Sequence, residues 1–270
     1  MVARSALVRL DELLVRQGHA ASREKAKALV LAGSVRLPTG LTPKPGLLVR
    51  DDLDILVLAT PRYVSRGGEK LSHGLDAFEI SVEGRVCADF GASTGGFSDC
   101  LLQRGALRIY AVDVGYGQLD WKIRQDPRVV TLERTNARYL ESLPEPVDLV
   151  TIDASFISAR LLLPAARNVA SEVAEIVVLI KPQFEAGRER VGKGGVVKDP
   201  TVHRAVLEDT GSWLESNKFS LVGLTASPLL GPAGNVEFLA HVRTDYLDRT
   251  DTVRLIDDAL EESKQRFHFQ

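Results

Sequence analysis

The chain has 270 residues, 44% of them hydrophobic and 26% charged, with a net charge of −2 and two cysteines. That length predicts one or two domains with an ample core. No apolar run approaches the ~20 residues of a bilayer span, no charged-then-apolar signal segment opens the chain, and no His/Cys cluster has metal-ligand spacing. The expectation is a cytoplasmic globular protein with no membrane partner and no metal, its Cys87 and Cys100 reduced in the core.

Charge is unevenly spread. Residues 1–60 carry nine Lys/Arg against six Asp/Glu, and residues 61–270 carry 25 against 30. A basic N-terminal part on a mildly acidic body suits contact with a polyanion. In that part Leu10, Leu13 and Leu14, followed by Gln17-Gly18, read as a short helix with a glycine stop. Ser22 reads as the N-cap of a second helix, with Ala26, Leu29 and Val30 as its apolar stripe and Gly33 as its end. Arg23, Lys25 and Lys27 crowd the start of that helix, where cations oppose the dipole; phosphate contact explains them, and so does plain solvent exposure. Val35-Arg36-Leu37 and Ile55-Leu56-Val57-Leu58 read as short strands around a Pro/Gly-rich loop.

Arg9-Leu10-Asp11-Glu12-Leu13-Leu14, Ser22-Arg23-Glu24-Lys25-Ala26 and Gly33-Ser34-Val35 resemble the S4 domain, a small RNA-binding module of ribosomal protein S4, pseudouridine synthases and tyrosyl-tRNA synthetases. The resemblance covers most of residues 8–58. It implies an α/β RNA-binding domain over 1–60, with Arg4, Arg9, Arg23, Lys25, Lys27 and Arg36 as candidate RNA contacts. A Pro-containing linker over 61–64 and a basic turn, Ser65-Arg66-Gly67-Gly68-Glu69-Lys70, follow. Arg62 and Arg66 join the candidate RNA contacts.

From residue 85 apolar runs alternate with helical patterns. Runs at 86–90, 107–113, 129–132, 147–152, 176–180, 219–225 and 236–242 predict a doubly wound, mostly parallel seven-stranded α/β sheet over 65–270. Ligand sites in such sheets lie at the C-terminal strand ends. The stretch Asp89-Phe90-Gly91-Ala92-Ser93-Thr94-Gly95-Gly96-Phe97 follows the first strand and opens a helix, where glycines permit a sharp turn and close approach to a ligand. Asp113 ends the next strand about 20 residues on, the place of a ribose-binding acid in nucleotide-binding folds. Asp153 and Lys181 also stand where apolar strands end, and buried charges there are costly unless paired or used.

Three nucleotide-dependent chemistries compete. An NTPase loop ends in Gly-Lys-Ser/Thr, and none follows Gly95. An NAD enzyme favours G-x-G-x-x-G, and this loop is G-x-x-x-G-G. An S-adenosylmethionine methyltransferase fits best, with Asp89 near the methionine amino group, the glycine loop beside methionine and ribose, and Asp113 on the ribose hydroxyls. Tyr116, Gly117 and Gln118, together with Asn136, are candidates for the adenosine end. Phe97 and Phe156 are candidates for stacking on base or cofactor.

Lys70, Asp153, Lys181 and Glu237 occur in the contexts Gly-Gly-Glu-Lys-Leu, Thr-Ile-Asp-Ala-Ser-Phe, Leu-Ile-Lys-Pro-Gln-Phe-Glu and Gly-Asn-Val-Glu-Phe. This set resembles the Lys-Asp-Lys-Glu set of FtsJ (RrmJ)-type ribose 2′-O-methyltransferases, which have a Rossmann-like class I fold. With the S4-like module, the chain resembles the TlyA family of rRNA 2′-O-methyltransferases, historically labelled hemolysins. The resemblance implies transfer to cytidines of 16S and/or 23S rRNA in ribosomal subunits. A ribose hydroxyl must lose its proton as it attacks, and a lysine takes it only if its proton affinity is brought toward operating pH. Lys181 is assigned as that base and Lys70 as a second ammonium that also grips phosphate. Asp153 would orient Lys181, and Glu237 would position Lys70 or the ribose. The plainer readings are a helix cap for Asp153, a solvated strand end for Lys181 and an exposed pair for Glu237. A basic, glycine-rich run over 185–195 reads as a mobile loop near the site. Residues 251–267 read as an added amphipathic helix. Oligomeric state is left open.

Overall fold

A computed structural model describes residues 6–31, 34–38, 43–57, 62–245 and 251–267. Contacts divide the chain between residues 61 and 62 into two compact units.

In the first unit, β1 (Leu7–Arg9), α1 (Leu10–Arg16), α2 (Arg23–Leu31), β2 (Val35–Arg36), β3 (Leu48–Arg50) and β4 (Leu56–Val57) follow in order. β1 pairs β3 and β2 pairs β4, both antiparallel. Leu10, Leu13 and Leu14 fall on one face of α1 because residues three and four apart share a side. They meet Ala26 and Val30 of α2 in one core. Ser22 Oγ accepts from Lys25 N at 3.3 Å and caps α2, as its position predicts. Gly33 lies outside the described residues.

The second unit opens with α3 (Gly67–Ala77), β5 (Val86–Phe90), α4 (Gly96–Gln103), β6 (Arg108–Val112), α5 (Trp121–Arg124) and β7 (Val129–Leu132). It continues with β8 (Val147–Ile152), α6 (Leu163–Val169), β9 (Ala170–Ile180), α7 (Pro182–Glu185), α8 (Pro200–Ser216), β10 (Ser220–Ala226), β11 (Phe238–Arg243) and α9 (Thr252–Phe267). Seven strands form one sheet in the order β10-β11-β9-β8-β5-β6-β7. Only β11 runs antiparallel to its neighbours there. Every expected strand is present, and β9 begins earlier, at Ala170. Residues 62–64, expected as linker, belong to this unit: Tyr63 is buried and Val64 N donates to Asp99 Oδ2 at 2.8 Å.

Successive strand residues face opposite sides. On β5, Val86, Ala88 and Phe90 enter the core under α6, α8 and α9, and Cys87 enters the core under α3 and α4. The chain winds outward from β5 through β6 to β7, then returns to β8 on the other flank of β5. The C-terminal ends of β5 and β8 therefore form the topological switch point, where a crevice opens. Among the described residues, no helix is long and apolar enough to cross a membrane.

Candidate active site

Two glycines shape the crevice. Gly91 leaves β5 at φ +84°, and a Cβ there would stand 2.7 Å from the backbone oxygen of Asp153. The close approach that its sequence position suggested is thus to the end of β8, which it lets lie alongside. A Cβ on Gly96, the first residue of α4, would stand 2.1 Å from Ser65 Oγ. The missing side chain lets the turn before α3 close over the loop.

Two cavities lie here and share Gly91, Ser93, Asp153 and Ser155. The smaller, about 260 Å³, is also lined by Ala92, Thr94, Gly96, Phe97 and Arg66. The larger, about 500 Å³, is also lined by Asp113, Gln118, Thr135 and Asn136. Asp113 is held by backbone donors: Ser93 N reaches Oδ2 at 2.8 Å and Gly115 N reaches Oδ1 at 2.6 Å. One carboxylate thus ties the glycine loop to the end of β6 and presents to the larger cavity. Asn136 accepts from Arg138 N at 3.1 Å and caps a short turn at the cavity edge.

Lys70, Asp153, Lys181 and Glu237 all line the smaller cavity. They come from α3, the end of β8, the end of β9 and the approach to β11, far apart in sequence. Lys70 Nζ donates to Glu237, and these side chains are only 8% and 1% exposed. Lys181 Nζ lies 2.6 Å from Asp153 Oδ1 and donates to Ser155 Oγ at 2.9 Å. The Asp153 contact is ionic, out of line for a hydrogen bond at Oδ1. The plainer readings do not describe this arrangement. Lys181 and Glu237 are buried, and Ser158, not Asp153, caps the turn that follows β8.

Residues 63–244 match the FtsJ-like methyltransferase family. The chain belongs to that family. Among similar proteins is the 16S/23S rRNA (cytidine-2′-O)-methyltransferase TlyA of Mycobacterium tuberculosis, 47% identical over 93% of this chain and 95% of that one. Hemolysin A of Brachyspira hyodysenteriae is 41% identical over 87% of this chain and 99% of its own length. A solved structure of a protein named as a hemolysin from Streptococcus thermophilus is 41% identical, covers 97% of this chain and 98% of its own, and has a TM-score of 0.72.

Four expected cofactor residues of the methyltransferase line neither cavity: Asp89, Gly95, Tyr116 and Gly117. Tyr116 is 68% exposed with the Arg134 guanidinium 4.4 Å from its ring centre. Gly117 N donates to Glu133 Oε1 at 2.8 Å. Asp89 alternates with Phe90 along β5 and so points between the sheet and α4. There Ser98 Oγ donates to it at 2.6 Å and Thr151 Oγ1 at 3.2 Å. Burial pushes its carboxyl up to about 7, with the neighbouring Asp153 adding to the rise. A raised carboxyl is neutral in the fold and ionised in the unfolded chain between about pH 4 and 7. Stability should therefore fall across that window as pH rises. Asp89→Asn removes the titration, and by ~1.36 kcal/mol per unit it should raise stability at pH 8 by up to roughly 4 kcal/mol. At pH 4 the two proteins should unfold at similar denaturant concentrations, and equal pH dependence in both would refute the account.

Sequence reasoning missed Ser155 and Glu185. Glu185 accepts from Ser158 Oγ at 2.6 Å and Ala159 N at 2.7 Å, fixing α7 against the loop after β8. Within the 185–195 run Arg190 Nε donates to Ala186 O, and from outside it Asn235 Nδ2 donates to Gly195 O. Of the expected RNA contacts, Arg66 lines the smaller cavity and Arg62 lies over the Tyr63 ring, 5.1 Å from its centre. In the first unit Asp11, wholly buried, accepts from Arg9 at 3.0 Å and Arg23 at 3.4 Å. That carboxylate is held below the usual range by the Arg9 hydrogen bond, so Arg23 has a partner at the helix start that its position did not reveal. Lys25 and Lys27 are exposed, Arg36 donates to Val35 O, and Arg4 lies outside the described residues.

Proposed function

We propose that the chain is an S-adenosylmethionine-dependent ribose 2′-O-methyltransferase acting in the cytoplasm on cytidines of 16S and/or 23S rRNA in ribosomal subunits. The observation that carries the reading is the convergence of Lys70, Asp153, Lys181 and Glu237 on one cavity that adjoins a second, acid-bearing cavity. The name of the Mycobacterium tuberculosis relative, a 16S/23S cytidine-2′-O-methyltransferase, supports the target class.

The paired cavities suit an elongated ligand with an amino-acid end and a nucleoside end. Ala92, Ser93 and Thr94 would hold the methionine part, Asp113 the ribose hydroxyls, and Gln118 and Asn136 the adenine end. The bound donor supplies an electrophilic sulfonium methyl and departs as a neutral thioether, so no other group need activate the leaving atom. What this chain supplies is the proton acceptor and the alignment. Lys181 first gives up its ammonium proton to solvent; its free amine, aimed by Asp153 and Ser155, then takes the proton of the acceptor hydroxyl as that oxygen bonds to the methyl carbon. Lys70, anchored by Glu237, offers a cation to the acceptor's phosphate. Holding both reactants in line lowers the barrier by several kcal/mol.

The first unit would be the S4-like RNA-binding domain. Arg9 and Arg23, set by Asp11, with Lys25, Lys27 and Arg36, form its phosphate-facing set, and phosphate contacts make binding salt-dependent. Purified protein with tritiated S-adenosylmethionine should label rRNA in subunits from a strain lacking the gene, and mapping should place new 2′-O-methyl groups on cytidines. Unlabelled rRNA would overturn the proposal.

A further inference from the structure

A second basic site stands on the edge of the sheet where the strands deliver Asp153 and Lys181. β9 and β10 run the same way, because β11 lies between them and is antiparallel to both. α8 leads from the end of β9 to the start of β10, so its first turn lies on the catalytic edge. α9 follows β11, which runs the other way, so its last turns come to that same edge. There Glu262 accepts from Ala226 N, at the end of β10, at 2.9 Å. Between the start of α8 and the end of α9 lies a cavity of about 150 Å³. Lys198, Arg204 and Lys264 line it with Thr201, His203 and Ser263, and no carboxylate does.

The walls are held. His203, 4% exposed, donates from Nε2 to Val197 O at 3.0 Å. Val197 N donates to Asn235 Oδ1 at 2.9 Å. Arg204 of α8 meets Asp257 of α9 at 2.6 Å. Lys198 follows directly on Val197, and Asn235 stands two residues before Glu237, a span of at most about 7 Å. The backbone that carries Lys198 is thus pinned beside the segment that carries Glu237.

The mechanism above uses none of these three cations, and their contacts within the protein do not account for them. Among the described residues Lys198 has no ion-pair partner. Lys264 reaches Glu261 only at 3.8 Å, and the Arg204 and Asp257 side chains are 43% and 53% exposed. Exposed pairs of this kind contribute little, so these side chains can turn to an outside anion. Asp199 already accepts from Thr201 N at 2.8 Å, so the attraction comes from the side chains and not from the end of α8. No aromatic ring but that of His203 lines the cavity, which suits a phosphate rather than a nucleobase. Lys and Arg are the usual phosphate partners.

We propose that this cavity seats a backbone phosphate of the rRNA strand whose target nucleotide occupies the catalytic cavity, so that the second unit grips its substrate at a point of its own. This rests on the rRNA methylation proposed above. A polyanion entering the catalytic cavity meets this site on the same edge of the sheet. The contact reads no sequence; it fixes the position of the strand and makes part of the affinity depend on salt.

The test is rRNA affinity between about 50 and 200 mM salt, measured for the unaltered protein and two double variants. One is Lys198→Gln with Lys264→Gln. The other, a control, is Lys218→Gln with Arg254→Gln, which removes two exposed cations from the opposite edge, before β10 and in the first turn of α9. In the first variant the slope of log affinity against log salt should flatten by about 0.7–0.9, the counterion release of one phosphate. The control should keep the slope of the unaltered protein. In methyl transfer the loss should appear as a higher half-saturating rRNA concentration rather than a lower maximal rate. S-adenosylmethionine binding by calorimetry should stay within a few-fold in both, which reports an intact fold. Unchanged affinity and slope in the Lys198/Lys264 variant overturn this proposal alone, and so does an equal loss in both variants, which is a response to net charge. An unaltered protein that neither binds nor methylates rRNA overturns the methylation reading, and this proposal with it.

Discussion

Lys181→Ala should lower methyl transfer by about 10²–10⁴-fold, the usual contribution of a positioned general base, while leaving S-adenosylmethionine affinity within a few-fold. The reasons are geometric. Nζ lies between Asp153 Oδ1 and Ser155 Oγ, and the same residue lines the smaller cavity. Its own contact with the larger, nucleoside-sized cavity is nil, so the nucleoside end of the donor loses nothing when it is cut back. Lys181→Arg is expected not to restore the rate, because a guanidinium stays protonated. The measurement is single-turnover transfer to rRNA with saturating donor, beside calorimetric binding of the donor alone. A Lys181→Ala enzyme at full rate would remove Lys181 from the chemistry. A parallel loss of donor binding would make it a binding residue instead.

The sheet was legible because of how its strands are buried. Strands covered on both faces read as unbroken apolar runs, and Val86–Phe90, Val147–Ile152 and the end of β9 are of this kind. The first half of β9 was not, since Ser171, Glu172 and Val173 are partly or fully exposed and carry no such run. Lys181 and Asp153 could be picked out because a charge at the end of an apolar run has few bland uses. The expected pairing of Glu237 with Lys70 had only the resemblance behind it: the two are 167 residues apart, and only the winding of the sheet brings α3 to β11. Asp89 and Tyr116 were read from nearness to motif residues. Strand alternation turns Asp89 into the layer under α4, and the turn at Gly117, φ +68°, leaves Tyr116 outside the larger cavity. Sequence neighbours of a site residue inherit its place only where the local backbone keeps them on its side.

Removing Glu237 should destabilise the second unit more than removing most other single side chains of the site. Lys70 would be left buried without its partner, and breaking a buried ion pair from one side costs about 3–5 kcal/mol. Glu237→Ala should therefore unfold at markedly lower denaturant, and Glu237→Gln, which keeps an acceptor, at an intermediate concentration. The double replacement Lys70→Leu with Glu237→Leu is the informative one. Two apolar side chains of similar volume often match or exceed a buried ion pair in stability, so most of the lost stability should return. Activity should not return, because the cavity would have lost the cation offered to the acceptor and the carboxylate that aims it. If the doubly apolar protein is both stable and fully active, the pair is a clamp between α3 and β11 and nothing more. If it is stable, binds S-adenosylmethionine and fails to methylate rRNA, then the fold tolerates the loss of this buried pair and the reaction does not. The cost of burying those two charges is then accounted for by chemistry rather than by folding.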